Sequence, residues 1–505
     1  MAAATTTPDA ARTEPDVRVA RVRQIAHWVG LGVVAACCLF VFWQLRPDLL
    51  FRNTTPSGGD VGAHVWWPAY LRDHLLPWRI AGWAPDFYAG FPAGQFYFPL
   101  PALLIVGLDL VVSYNVAFKL VTALGPVLLP LGAYVFGRGL RAPQPAPAAM
   151  AVGATGFLFF KGASTDPVAF NQHIMGGNLA SNLAGEFSFT LALALALGFL
   201  GFFARALEQR RGMAWTAALL AATVLSHLVV AIVAVTVAGI IWLLYRPLRS
   251  VGVAAAVGVV AALLTAVWAV PLLATLAYTT DTRYEPVEQY LTYLFPSYLG
   301  WALLLCLIAI VAGVLQLRRS TLVVALFAVT GGLFFRLWEA WGQTPAWNLR
   351  FLPFWYLGVF LLAGIGAAEL VRGAGALSAQ LLAGTRTDDG GKPTGVPPRA
   401  LVRVTTMTLL TVLLTLISFW RVEATDGFLP YWVRWNYSGY EETDGLSAKS
   451  YPEYRRLITT MEELPPGRVL WEPGSDIDRY GTTLAPMLLP YFTDGRIASM
   501  EGVYY

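Results

Sequence analysis

The chain has 505 residues, 56% hydrophobic and only 13% charged, with a formal net charge of +4. Soluble globular domains carry about 25% charged residues, so this composition excludes an ordinary water-soluble enzyme and points to a polytopic membrane protein. The small positive charge is spread over many loops, and no basic patch interleaved with aromatics marks a nucleic-acid partner.

Residues 1–25 mix Arg12, Arg18, Arg21 and Arg23 with acids and threonines and read as a disordered cytoplasmic tail. A bilayer-crossing helix needs roughly 17–25 apolar residues. Candidate spans, some short, fall at about 27–45, 99–113, 116–137, 147–161, 186–204, 213–226, 228–245, 251–277, 298–317, 321–336, 351–371 and 402–420. The first is long for a signal peptide and lacks a small-residue cleavage site, so it reads as a retained anchor. Cys37, Cys38 and Cys306 lie inside apolar runs and read as small packing residues.

Loops rich in arginine should face the cytoplasm. These are the N-terminus, Arg138–Arg141, Arg205–Arg211, Arg246–Arg249, Arg318–Arg319 and Arg372–Arg403. From Arg205 onward the alternation closes and puts 163–185, 278–297, 337–350 and everything after Trp420 outside. Between Asp60 and Arg138 it does not close. Either one of 99–113 and 116–137 is re-entrant, or 147–161 fails to cross.

The expected fold class is an all-α polytopic membrane protein of roughly 11–13 transmembrane helices. The transmembrane domain covers 26–420, with a large outer loop at 46–96 and a Gly/Thr/Pro-rich cytoplasmic linker at 372–401. Residues 421–505 read as the start of an outer soluble α/β or β domain, and the chain as truncated. The stretch 213–245 is too long for one comfortable span and short for two. Two short helices meeting near Ser226 and His227 would satisfy its flanking charges, and helices that stop partway imply protein or an aqueous cavity at their ends. In the first loop, Gly62–Leu76 reads as an interfacial helix with Trp66, Trp67, Tyr70 and Trp78 at headgroup level. A rigid Gly/Pro/aromatic stretch follows from Trp83.

The residues that could carry chemistry stand near these boundaries. Asp60 and His64, four apart, would share a helical face; Asp60 suits a general base or metal ligand, and equally a helix N-cap. Glu186 opens a span and could cap it or face a cavity as a metal ligand or acceptor contact. His227 sits at the apex of the short helix pair, where a neutral histidine could simply satisfy broken backbone. His173, with Asn171, lies in an outer loop and could line its mouth. Arg350, beside Asn348 at the outer start of a span, can hold a phosphate through two parallel hydrogen bonds or snorkel to headgroups. Arg336 is a weaker version. Asp109, inside an apolar run, suggests a helix end or a polar bundle contact.

Taken together, Gly59-Asp60 with His64, the run from Trp83 through Gly90-Phe-Pro to Phe96-Tyr-Phe-Pro-Leu, Gly185-Glu-Phe-Ser-Phe, Ser226-His227, Arg350-Phe-Leu-Pro-Phe and Arg434 to Glu441 resemble the multi-spanning glycosyltransferases of the GT-C fold. More narrowly, the chain is similar to a bacterial and archaeal membrane family labelled "6-pyruvoyl-tetrahydropterin synthase-related". The resemblance implies an acid in the first outer loop, which maps to Asp60. It also implies a polyprenyl-phosphate-linked sugar donor, transfer on the outer face of the plasma membrane, a glycan or glycoprotein acceptor, and in some members a divalent metal such as Mg or Mn. Many such enzymes carry two adjacent acids. Here the neighbour is Val61, so His64 or Glu186 would supply the second group, and Asp60, His64 and Glu186 are the metal-ligand candidates. The expected activity is an inverting glycosyl transfer. The alternatives are a lipid or oligosaccharide transporter or flippase, and a non-catalytic scaffold for envelope assembly.

Overall fold

Among the described residues, eight helices are long and apolar enough to cross a membrane, and four shorter apolar helices accompany them. The expected 11–13 is reached only by counting the short ones. The structure, a computed structural model, describes residues 14–160, 175–245, 247–279, 290–338, 347–382, 398–424, 428–441 and 449–503. His173 and Asn171 lie outside these residues.

The helices are α1 (Glu14–Gln44), α2 (Val61–His64), α3 (Trp66–Tyr70), α4 (Pro99–Asp109), α5 (Tyr114–Gly139), α6 (Ala146–Leu158), α7 (Phe187–Gln209), α8 (Met213–Ser226), α9 (Leu228–Leu244), α10 (Pro247–Ala274), α11 (Gly300–Leu315), α12 (Arg319–Leu337), α13 (Leu352–Leu382), α14 (Pro398–Ala424), α15 (Phe428–Tyr437) and α16 (Tyr451–Glu462). In hydrocarbon only a helix satisfies its own backbone, which is why these Ala/Leu/Val-rich runs are helical throughout. Packing between them relies on small residues. A Cβ at Gly139 of α5 would sit 2.1 Å from the Gly201 carbonyl oxygen of α7, so the two backbones touch as glycine alone permits. The span ending in α13 is 94% buried and that of α14 only 11%; α5, α6, α7 and α13 form the interior, with α1, α10 and α14 on the lipid-facing periphery.

Two boundaries differ from expectation. Helix α1 begins at Glu14, within the segment read as a disordered tail, and α13 continues to Leu382, into the segment read as a linker. Residues 383–397 lie outside the described set. Between Asp60 and Arg138, α4 has only 11 residues, about 16 Å of helix, roughly half the hydrocarbon thickness; α6, with 13, is short as well. The last residue of α4, Asp109, pairs with Arg72 of the first loop at 2.6 Å. The break at His227 falls as expected. There the backbone is extended (φ −168°, ψ 120°) between α8 and α9.

The first loop and the tail build one cap over the bundle. Strands β1 (Gly82–Ala84) and β2 (Phe91–Ala93) pair antiparallel, Trp83 opposite Pro92. Strands β3 (Gly467–Val469) and β4 (Ile497–Ser499) pair parallel, Arg468 opposite Ala498. Tyr88 donates its N–H to Ser499 O, and Ser499 donates to Asp86 O, both at 2.8 Å. The tail thereby packs on the loop and shares its core. Trp66, Trp67 and Tyr70 therefore do not present their rings to headgroups, as expected from sequence, but are buried with Phe87, Phe91, Trp471 and Met487. The tail supplies the cover that the loop alone lacks. Trp78 is 90% exposed.

A second tie is Lys119 of α5, fully buried. Its ammonium donates to Thr54 Oγ1 at 2.7 Å, Tyr437 O at 2.8 Å, Arg52 O at 3.1 Å and Leu49 O at 3.2 Å. Four oxygens from the loop and the tail replace water around the charge, as burial of an ammonium requires.

Candidate functional site

Asp60 is positioned by two glycines. Gly59 has φ +50°, and a Cβ there would lie 2.5 Å from Ala184 O; Gly185 has φ +124°, and a Cβ there would lie 2.8 Å from Asp60 Cβ. Both positions need the conformational freedom and the missing side chain of glycine. The Asp60 N–H donates to Ala184 O at 2.9 Å. The loop is thereby clamped to the π-turn Asn182–Glu186 that starts α7, and Asp60 comes to lie beside Glu186.

Asp60 occupies the N-cap position of α2, yet its side chain makes no capping bond. The capping position is filled while the carboxylate stays available. Burial pushes its pKa up to about 6, against the opposing pull of the Arg350 guanidinium. Glu186 likewise stands at the N-cap of α7 without a capping bond, and its carboxylate is paired with Arg350. Arg350 lies in the short turn Asn348–Phe351, with its guanidinium 5.3 Å from the Trp347 ring centre. It therefore points into the protein and does not snorkel. Its side chain is 27% exposed, enough to meet a ligand. Asn348 is fully buried.

His64 is buried, its ring stacked on Tyr97 at 5.3 Å and set edge-on to Phe187 at 5.8 Å. Its Nε2 lies 3.4 Å from Tyr97 Oη. Burial pushes its pKa down to about 4, so the imidazole is neutral at pH 7. His227 packs against Phe98 at 4.4 Å and Phe189 at 4.8 Å and lies within electrostatic reach of Arg350.

Tyr97 was not among the residues singled out from sequence. It bonds to Ser188 of α7, contacts His64, and feels the charges of Asp60, Arg350 and Glu186, while burial raises its pKa and keeps the phenol protonated. Within Phe96-Tyr97-Phe98 it reads as one more interfacial aromatic, and nothing in the spacing distinguishes it.

The structure thus brings Asp60, Glu186 and Arg350 together, with His64 joined through Tyr97 and His227 at the flank. Among the described residues no three His, Cys, Asp or Glu side chains group as metal ligands. The Glu186 carboxylate is engaged by a guanidinium and the His64 ring by Tyr97. As placed, Asp60, His64 and Glu186 do not fit a three-ligand metal centre. A cavity of about 510 Å³ lies away from this cluster, among residues of α1, the α5–α6 turn and α14.

No family model matches the chain and no curated protein matches it, so the narrower resemblance to the pterin-synthase-related family gains no support. Solved structures do match in shape. ArnT from Cupriavidus metallidurans in the apo state superposes with a TM-score of 0.52 at 14% identity, over 95% of this chain and 87% of that one. The same protein bound to undecaprenyl phosphate gives 0.51 at 15% identity, over 94% and 86%. The oligosaccharyltransferase of Archaeoglobus fulgidus, tethered with an acceptor peptide, gives 0.48 at 13% identity, over 94% of this chain and 64% of that one. The chain thus spans less than two thirds of that protein's length. The two ArnT superpositions, together with the membrane-length helices, define the class: an integral membrane protein with the GT-C fold.

Proposed function

We propose that this protein is a membrane glycosyltransferase that moves a sugar from a polyprenyl-phosphate donor to a cell-envelope glycan or glycoprotein. In this reading the cap and the site face outward from a bacterial or archaeal plasma membrane, and the arginine-rich loops face the cytoplasm. The undecaprenyl phosphate bound by ArnT from Cupriavidus metallidurans supports the donor class.

Asp60 accepts the proton of an acceptor hydroxyl as that oxygen bonds to the anomeric carbon. The bond from that carbon to the phosphate oxygen breaks on the opposite face, inverting the centre, and polyprenyl phosphate leaves. A phosphate leaving group is already a stable anion, so it needs charge stabilisation rather than a proton donor. Arg350 supplies that charge. Glu186 and Trp347 hold the guanidinium in place, and its five N–H groups allow a phosphate contact beside the carboxylate. A carboxylate with a pKa near 6 is ionised at pH 7 yet more basic than an ordinary one, which suits a general base.

The observation that carries this reading is the meeting of Asp60, Glu186 and Arg350 at one end of a GT-C bundle. The test uses membranes containing the full chain and a panel of radiolabelled polyprenyl-phosphate sugars. Asp60→Asn should lower transfer by roughly 10²–10⁴-fold with protein abundance unchanged. Wild-type transfer by that variant refutes the base assignment. Lipid-sugar flux across vesicles without any transfer would favour a flippase.

A further inference from the structure

The cavity of about 510 Å³ is lined by residues of α1 (Ala26, His27, Val29, Gly30), the end of α5 and the following turn (Arg138, Gln144, Pro145), Ala148 of α6, and Val404, Met407, Thr408 and Thr411 of α14. It belongs to the far end of the bundle. Helix α5 has 26 residues, about 39 Å. Tyr114 at its start bonds to Val65 O in the cap, whereas Arg138 is one residue from its end. A ligand here is therefore about one bilayer thickness from Asp60.

The lining is graded. His27, Arg138 and Gln144 cluster where α1 and α5 approach that end. The wall continues along α14 from Val404 to Thr411, about 10 Å deeper, through Met407 and Thr408, with no charged side chain. The flanking helices α1 and α14 are among the least buried spans, with 28% and 11% of their windows covered. The crevice thus lies between two helices whose outer faces are exposed along most of their length. Among the described residues no carboxylate pairs with Arg138, whereas Arg141 nearby is paired with Glu208. An exposed guanidinium above an apolar slot suits an amphiphile with an anionic head.

We propose that this cavity is a binding site for one anionic phospholipid, with its phosphodiester on Arg138 and Gln144 and the start of one acyl chain between α1 and α14. The volume falls within the range of small-molecule sites, roughly 300–1,000 Å³. Arginine at a membrane surface draws anionic headgroups, and the slot adds what a bare surface arginine lacks, a fixed seat for the chain. This cavity shares no residue with the Asp60 cluster.

The test is native mass spectrometry of the detergent-purified full chain, titrated with phosphatidylglycerol or phosphatidylcholine. The wild type should retain one phosphatidylglycerol in preference to phosphatidylcholine. Arg138→Ala should weaken retention roughly fivefold, while Arg211→Ala, which removes an exposed charge outside the cavity, should leave it unchanged. Thr408→Phe, which fills the slot and keeps the charge, should weaken it as well and serves even where Arg138→Ala fails to fold. Equal retention of phosphatidylcholine, equal loss in Arg211→Ala, or no effect of Thr408→Phe in a monodisperse sample would overturn the proposal.

Discussion

Asp60 and Arg350 are coupled through charge, and that coupling has a sign. Arg350 holds the Asp60 pKa below where burial alone would put it. The base form of Asp60 grows as pH rises through about 6, so transfer should climb across that interval and level off above it. Arg350→Gln removes the opposing charge and should move this limb to higher pH while raising the KM for donor; an unmoved limb in a variant that still turns over would separate the two residues. Tyr97→Phe removes one hydroxyl between Ser188 and His64. We expect kcat to fall about tenfold, roughly 1.4 kcal/mol, with donor KM nearly unchanged, measured by steady-state transfer in the same membranes.

Asp60 and Arg350 were legible as residues because each breaks a local rule: an acid in a glycine turn beside lipid, and an arginine at the end of a span where the charge rule disfavours it. Glu186 was legible as a charge opening an apolar run, but not as the partner of Arg350. That pairing joins positions 164 apart, and no periodicity encodes it. Tyr97 broke no rule and stayed hidden.

At the scale of elements, the contact between the first loop and the turn before α7 depends on Gly59 and Gly185. Gly185→Ala introduces a Cβ 2.8 Å from that of Asp60 into a left-handed backbone that non-glycine residues enter only with strain, costing on the order of 1–3 kcal/mol. We expect transfer to fall at least tenfold while the helical content by circular dichroism stays the same. The paired short helices α8 and α9 were readable from length and flanking charge, because hydrocarbon thickness fixes what a single helix can span. The burial of Trp66, Trp67 and Tyr70 was not. Interfacial and cap-core aromatics share a composition, and only the distant tail decides between them.

Across the whole molecule, composition and span length carried the class of fold, since a bilayer leaves the chain few alternatives. The cap was read as two separate regions because its joins run between the beginning and the end of the chain. Lys119 sits at that junction. Lys119→Met keeps the volume but leaves Thr54 Oγ1 and three carbonyl oxygens without their donor, at about 1–3 kcal/mol for each buried acceptor that finds no replacement. A lower melting temperature of the purified protein, measured by intrinsic tryptophan fluorescence, is the expected result, and an unchanged one would show that water fills the place.

The Asp60 turn is also braced from the far end of the chain: Ser57 donates its N–H to Asn436 O and its hydroxyl to Trp435 O, and the Asn436 side chain bonds to Leu183 O. During synthesis the ribosome emits Asp60 long before Asn436, so the Asp60 turn waits for its contacts with the tail through nearly four hundred residues of translation. On the proposed function, a nascent chain released after Trp420 should insert its helices and yet show no transfer, because Trp435 and Asn436, which brace the Asp60 turn, are missing.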